Sequence, residues 1–335
     1  MSIPLSVLDL VPIGSGFSAR EALRRSVALA QLAEQLGYVR YWFAEHHGMP
    51  GIASSSPEVL IEHIASATAT IRVGSGGIML PNHAPLRIAE VFHTLETLHP
   101  GRIDIGVGRA PGTDPVTSRA MRPFDAEQFP QQLQELIGLS GGSLPPEHPF
   151  RTVRVIPAGV PLPPIWILGS SGASARFAGS LGVGYGFARH FSPAPPEPAV
   201  HAYLESFQPS AQFREPHVII GASVICADTD ARAEYLAGST DLVWVRYQRG
   251  EFGLLPSPEE AAAYEWSAHE RAVARAGRSR HFIGTPASVR AQIDALVKST
   301  SASEVMVTTM IHDREERRRS YELLASRLGE PQSPP

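Results

Sequence analysis

Several short stretches of this 335-residue chain carry side chains that could do chemistry. Glu45-His46-His47 sets a carboxylate beside two imidazoles, and imidazole is the side chain whose ordinary pKa best suits proton transfer near neutrality. On a strand, adjacent side chains point to opposite faces, so the two histidines could not easily share one metal ion. At a strand end one of them would reach the cavity as an acid/base; the alternative is a pair of capped structural histidines. No His-Glu-x-x-His helix and no cysteine partner accompany them, and no metal site is expected. Gly169-Ser170-Ser171-Gly172-Ala173-Ser174 offers backbone N–H groups and hydroxyls at a strand-to-helix turn, which together make an anion cradle. Arg109 would add a charge-assisted bond to the same phosphate. A plain N-cap in a tight turn is the competing reading and needs only one of those serines. Gly76-Gly77 either lets the backbone approach something flat or forms a bulge at a sheet rim. Asn82-His83 and Arg189-His190 complete the candidates, as substrate contacts.

Scarcity removes other chemistries. Cys226 is the only cysteine, which excludes an internal disulfide, a redox Cys-x-x-Cys pair and a thiolate iron–sulfur cage. Lys298 is the only lysine, so no Walker A lysine exists, and its place near the end of a periodic helix is a poor address for a Schiff base. Gly106, Gly108 and Gly112 miss the dinucleotide-fingerprint spacing, as do Gly182, Gly184 and Gly186. A net charge of −4 and a pI near 6.4 argue against a nucleic-acid surface. The run Arg314 to Arg319 mixes both signs and reads as a solvated helix face. No apolar run approaches the roughly 18 residues of a membrane span, and no signal peptide is visible. A cytoplasmic address is expected.

Positioning these groups requires a scaffold, and β-like runs alternate with helical patterns along nearly the whole chain. Strands are expected at 5–10, 38–45, 71–80, 102–109, 164–169, 182–188, 218–227 and 304–310. Several are near-continuous apolar runs, as parallel strands covered by helices must be. The first helix opens with Ser18 and Glu21 in capping-box spacing, runs through Leu23, Val27, Ala30 and Leu36, and stops at Gly37. A second starts at Ser56-Pro57-Glu58, and a third after Pro85 buries Ile88, Phe92, Leu95 and Leu98. The last begins at Asp313, with Leu323, Leu324 and Leu328 behind. Eight strand–helix units predict a single-domain α/β fold over 1–335, a (β/α)8 TIM barrel, with an open doubly wound sheet as the alternative. Two insertions, about 110–163 after strand four and 240–284 after strand seven, read as cavity walls or lids.

In chain order, FAEHH, VGSGGIMLPNHAPLRIAE, LHPGRIDIGVGRAPGTD and IWILGSSGASA resemble the bacterial luciferase-like flavin monooxygenases, in their non-luminescent oxidoreductase branch. HFIGTPASVRAQIDALV and EVMVTTMIHDREERRRSYELLA resemble that family's C-terminal end, so the likeness covers about 3–230 and 281–328. It implies a barrel that binds reduced FMN, or a deazaflavin coenzyme in some branches, at the C-terminal mouth. Carried onto matching positions, His46 becomes the catalytic acid/base, with Glu45 and His47 flanking it. Gly76-Gly77 becomes the site of a non-proline cis peptide behind the flavin ring. Arg109 becomes a phosphate arginine, and Ser170, Ser171, Gly172, Ala173 and Ser174 the phosphate cradle. The implied reaction takes FMNH2 from a separate NAD(P)H:flavin reductase, forms a C4a-hydroperoxyflavin with dioxygen, and oxygenates a small aldehyde, ketone or polyketide. His47, His83, Arg189 and His190 would meet the substrate. Deazaflavin-dependent hydride transfer and a non-catalytic flavin-binding partner are the other readings, and the family suggests a homodimer. Gly108 stands where luciferases carry a reactive cysteine, the loop histidine is offset to His83, and 240–284 has no match to luciferase's long lid; these departures argue against light emission.

Overall fold

The computed structural model describes residues 3–121 and 124–326. Ten strands form one sheet: β1 (Leu5–Asp9), β2 (Arg40–Phe43), β3 (Arg72–Ser75), β4 (Ile78–Met79), β5 (Ile103–Gly108), β6 (Ile165–Gly169), β7 (Gly184–Phe187), β8 (Val218–Cys226), β9 (His281–Gly284) and β10 (Glu304–Thr308). Every ladder is parallel, in the order β10-β1-β2-β3-β5-β6-β7-β8. The ring closes where β10 returns to β8, from Glu304 opposite Ile219 to Thr308 opposite Ser223. Eight strand positions with helices between them make the expected TIM barrel.

Side-chain size decides how the lumen fills. Leu8, Trp42, Ala44, Trp166, Ile219 and Met306 form the inner cluster, and the two indoles meet edge-on with centroids 5.5 Å apart. Such large groups fit a narrow barrel only where neighbouring strands give way. A Cβ on Gly184 would come within 2.3 Å of the Trp166 ring, so glycine is required there. At the N-terminal end the barrel is closed by buried ions. Arg40 reaches Asp104 at 2.8 Å and Glu304 at 3.1 Å, while Arg72 reaches the same Asp104 at 2.7 Å.

Several local expectations are corrected. The capping box of Ser18 and Glu21 is present, but the helix Ala19–Gln35 buries Ala22, Ser26, Leu29, Ala30 and Ala33. Small residues take the sheet-facing stripe, which lets the helix sit close, and Leu23, Val27 and Leu36 pack along its margin. Pro57 opens its helix as predicted, yet Ser56 makes no side-chain cap bond. Leu98, the last residue of the helix Pro85–Leu98, is 56% exposed rather than buried. The expected strand 71–80 is broken at 76–77 into β3 and β4, and β4 pairs only with β5. Arg317, assigned above to a solvated face, is buried and bonds Asp9 at 2.7 Å, whereas Arg318 and Arg319 pair with Glu315 and Asp228 at the surface. Leu328 lies outside the described residues.

Both insertions are built differently from the expectation. Within 110–163 the helix Phe129–Gly141 packs on Pro85–Leu98 as the fourth unit's own barrel helix, so only its flanks are additional. The seventh unit's helix, Asp230–Gln248, runs straight through position 240. After it come the helices Pro258–Ala263 and Ala268–Gly277, then β9. Ser223 of β8 pairs with Thr308 on one side and His281 on the other, so β9 occupies the edge of β8 that β7 leaves free.

Candidate active site

At the C-terminal end of β2 the ladder stops at Phe43, and Ala44–His47 leave the barrel extended, each amide held by a different neighbour. Ala44, Glu45, His46 and His47 donate to the carbonyls of Asp9, Gly77, Ser54 and Gly112 at 3.4, 3.3, 3.2 and 3.0 Å. Because the chain stays extended, side chains still alternate. Glu45 and His47 share one face and bond at 2.9 Å, while His46 takes the other. Glu45 is buried, accepts the Met79 amide at 2.8 Å and lies 3.0 Å from His83 Nε2. Burial alone would raise its pKa, but the bonds to His47 and His83 overcome this and hold the carboxyl at about 2. Glu45 is thus a fixed anion bonded to both His47 and His83.

His46 presents a different environment. Its Nδ1 is buried without a hydrogen-bond partner, and burial lowers the imidazole pKa to about 4 despite the nearby Glu45. A neutral imidazole with an unengaged ring nitrogen can accept a proton or bond a bound molecule. His190, which follows β7, lies within electrostatic reach of His46, has an equally unpartnered Nδ1, and is held neutral by burial with a pKa of about 4. Its ring rests over Gly221 of β8, where a Cβ would stand 2.5 Å from Nδ1.

Gly76 and Gly77 join through a cis peptide, as the resemblance implied. Neither position has room for a side chain: a Cβ would meet Leu8 Cδ1 at 2.6 Å from Gly76, or the Gly106 carbonyl at 2.7 Å from Gly77. Across the sheet, Gly108 lies opposite Leu168, so Arg109 and Gly169 leave β5 and β6 at the same height. Arg109 is exposed and makes no hydrogen bond or ion pair among the described residues. Gly169-Ser170 leads into the helix Gly172–Leu181, whose N-cap is Ser171. Ser171 Oγ accepts the Ser174 amide at 3.4 Å, and Ser174 Oγ donates to the Ser171 carbonyl at 2.9 Å. The amides of Gly172 and Ala173, in the first turn, have no intrahelical acceptor. The loop is thus an N-cap, and its first-turn amides stand at the same barrel end as the exposed Arg109.

Over the mouth lies the seventh-unit insertion. Before it, the helix Asp230–Gln248 is tied to the segment after β10, where Thr240 Oγ1 donates to the Met310 carbonyl at 3.3 Å. Further along, Leu255 exchanges backbone bonds of 2.9 and 2.8 Å with Ile13 and Ser15, beyond β1. Ser15 Oγ also donates to Glu260 at 2.6 Å. The part of the segment around Leu255–Glu260 thus lies against the loop after β1, roofing that side of the C-terminal end.

Of the candidate residues, His46 and His190 lie within electrostatic reach of each other, and His47 and His83 converge on Glu45. Arg189 is occupied elsewhere: it donates to the carbonyls of Arg280 and Ser279 at 3.0 and 3.2 Å and lies 4.2 Å over the Phe282 ring. Two groups escaped the sequence reading. His281 Nδ1 lies 2.7 Å from Ser223 Oγ, a pair that only the unforeseen β9 creates. Arg176 reaches back so that a Cβ on Gly172 would lie 3.4 Å from its Nη1, a contact that i, i+4 spacing could have signalled. Cys226 is buried, with its thiol pushed up to about 12 by desolvation, and offers no nucleophile. No cluster of metal-ligand type exists among the described residues, and no described helix is long and apolar enough to cross a membrane.

Comparison with known proteins identifies the family and the fold. Residues 3–303 match the family model of the luciferase-like monooxygenases. A luciferase-like monooxygenase of Escherichia coli K12 is 43% identical over 96% of each chain. The N-acetyl-S-alkylcysteine monooxygenase of Bacillus subtilis 168 is 34% identical, covering 96% of this chain and 97% of its own. Among solved structures, apo-MsnO8 superposes with a TM-score of 0.85 at 35% identity over 96% of both chains. Two distant structures share the fold alone. The oxygenating constituent of Pseudomonas putida 3,6-diketocamphane monooxygenase, solved with FMN, has a TM-score of 0.70 at 18% identity over 97% of both chains. An F420-dependent secondary alcohol dehydrogenase has a TM-score of 0.63 at 12% identity, covering 97% of this chain and 99% of its own. With the family model spanning most of its length and relatives above 30% identity covering nearly all of it, the chain belongs to the luciferase-like monooxygenase family.

Proposed function

We propose that this protein is the oxygenating component of a two-component system, binding reduced FMN at the C-terminal mouth and oxygenating a small organic substrate. The observation that carries this reading is the neutral His46, its Nδ1 buried and unpartnered, at the same barrel end as the unpaired Arg109 and the exposed first turn of Gly172–Leu181. The donor set fits a flavin phosphate: one guanidinium without a carboxylate, the amides of Gly172 and Ala173, and the serines at 170, 171 and 174. The side-chain-free surface at Gly76-Gly77 suits a flat ring. When bound, reduced FMN supplies the two electrons that let one oxygen atom of O2 enter the substrate while the other leaves as water. His46 accepts a proton and returns it near the reacting atoms, Glu45 holds the surrounding histidines in orientation, and the roof around Leu255–Ala263 excludes water.

A separate NAD(P)H:flavin reductase supplies the reduced flavin in this scheme, in line with the relative described as an oxygenating constituent. Thioethers of the N-acetyl-S-alkylcysteine type, the substrates named for the 34%-identical relative, are the first to screen. The test is an anaerobic titration with FMNH2, followed by product assay after air is admitted. His46→Asn should bind FMNH2 with unchanged affinity and lose about 10²–10⁴ in product formation. Undiminished product from that variant would remove His46 from the chemistry. Preference for a deazaflavin over FMNH2, without oxygen uptake, would replace the proposal with hydride transfer. Binding without any turnover would leave a flavin-binding partner.

A further inference from the structure

Beyond the flavin groups, the mouth carries an excess of positive charge on one side only. β9 and the turn before it bring Arg278, Arg280 and His281 beside Arg189 and His190. Arg278 is neutralised by Asp241 and Glu234. Arg189 and Arg280 have no carboxylate within ion-pair distance among the described residues. Arg189 donates only to backbone carbonyls, and the acidic group it senses, Glu197, stays beyond salt-bridge range. Arg280 lies 3.7 Å over the Trp244 ring, with Nη2 buried and without an acceptor. Partly buried arginines are ordinarily paired, because desolvating a cation without an anion is costly. Next to them stand three uncharged polar groups that can complete an anion's hydrogen bonds. They are His281, bonded to Ser223 at 2.7 Å, Ser223 itself, and His190 with its open Nδ1. Burial, together with the nearby guanidiniums of Arg280, Arg189 and Arg278, lowers the His281 pKa to about 4. The local field is therefore positive and unanswered.

We infer that β9 and the turn before it form a carboxylate-binding subsite, reached through Arg280, His281 and His190, and that the substrate of this monooxygenase is an organic acid docked there. The substrate assignment rests on the flavin reading above; the subsite does not. It lies on β7, β8 and β9, beside the phosphate groups on β5 and β6, because β7 pairs with β6 and the Ala188 amide donates to the Gly169 carbonyl at 3.1 Å, so FMNH2 affinity is the readout that tells the two anion sites apart.

Sodium formate is the smallest probe with the required group. Histidine resonances of the full protein would be followed by NMR during titration with formate, against sodium chloride at constant ionic strength. The His281 signals should shift saturably with formate alone, and its pKa should move up from about 4 toward its ordinary value, because a bound carboxylate stabilises imidazolium. Arg280→Gln should weaken the formate response about tenfold or more, the loss expected for one charge-assisted bond, while Arg280→Lys keeps most of it. FMNH2 affinity of Arg280→Gln should equal that of the wild type. Equal responses to formate and chloride would overturn the subsite. A fall in FMNH2 affinity would also overturn it, by giving these groups to the flavin phosphate. Failure of the wild type to bind FMNH2, with a saturable formate response intact, would sink the flavin reading and support the subsite.

Discussion

Proton chemistry at His46 depends on what its surroundings do to one equilibrium. The ordinary value of 6.5 would leave a mixture of charged and neutral rings near neutrality, but burial lowers it to about 4. His46 therefore enters the reaction neutral, and kcat/KM should show no His46 break between about pH 5 and 8. A pH profile falling with a midpoint near 6.5 would show instead that the ring is solvated in the working enzyme. Arg109 supports a prediction of a different kind. Its guanidinium is exposed and has no partner to lose, so Arg109→Ala should leave stability unchanged within about 0.5 kcal/mol while weakening FMNH2 binding roughly ten- to a hundredfold. Isothermal titration beside thermal melts would measure both, and unchanged affinity would move the phosphate elsewhere.

Elements decide which of these side chains meet. His46 and His190 follow β2 and β7, far apart in sequence, and it is barrel closure that brings them within electrostatic reach. The eight-unit alternation and the chemistry-bearing stretches were legible because parallel strands buried on both faces read as apolar runs, and because the special residues sit at their C-terminal ends. What was not legible follows a pattern. The short run His281–Gly284 fell within the expected insertion 240–284 and gave no strand signal, since β9 is a strand only by virtue of the free edge of β8. Without β9 there was no way to pair His281 with Ser223, nor to place Arg280. The inward turn of Arg317 was equally hidden, because it depends on Asp9 being fixed beneath it by Ser26 and Tyr41. The roof is the element whose mobility can be tested. Leu255 and Glu260 tie it to the loop after β1 mainly through Ile13 and Ser15. Glu260→Ala removes the Ser15 bond and the capping box of Pro258–Ala263, so amides of 255–263 should exchange faster while those of β1 and β2 stay protected. Uniform exchange across both would mean the roof does not open independently of the barrel.

At the scale of the whole molecule, the barrel concentrates buried ionisable groups at its two ends, and this makes stability depend on pH in a definite direction. Arg40, Arg72, Asp104 and Glu304 at the N-terminal end, with Asp9 and Arg317 nearer the mouth, are paired, and removing one partner strands its counter-charge. Asp9→Ala should cost about 3–5 kcal/mol, read from the denaturation midpoint. The mouth histidines behave oppositely, because they are buried neutral. His46, His190 and His281 each fall from 6.5 to about 4 on folding. Between those values the unfolded chain binds protons that the native protein refuses, so this stability is complete above pH 6.5 and is lost as the pH falls toward 4. Each proton contributes a slope of about 1.4 kcal/mol per pH unit, and each histidine about 3 kcal/mol in all. Glu45, lowered from 4.5 to about 2, adds a further loss only below pH 4.5. Urea unfolding at several pH values around 5 should therefore give a slope corresponding to about three protons in the wild type and two in His190→Asn. Identical slopes would mean that His190 titrates in the folded protein as it does in the unfolded chain, and that the mouth is wetter than its packing implies.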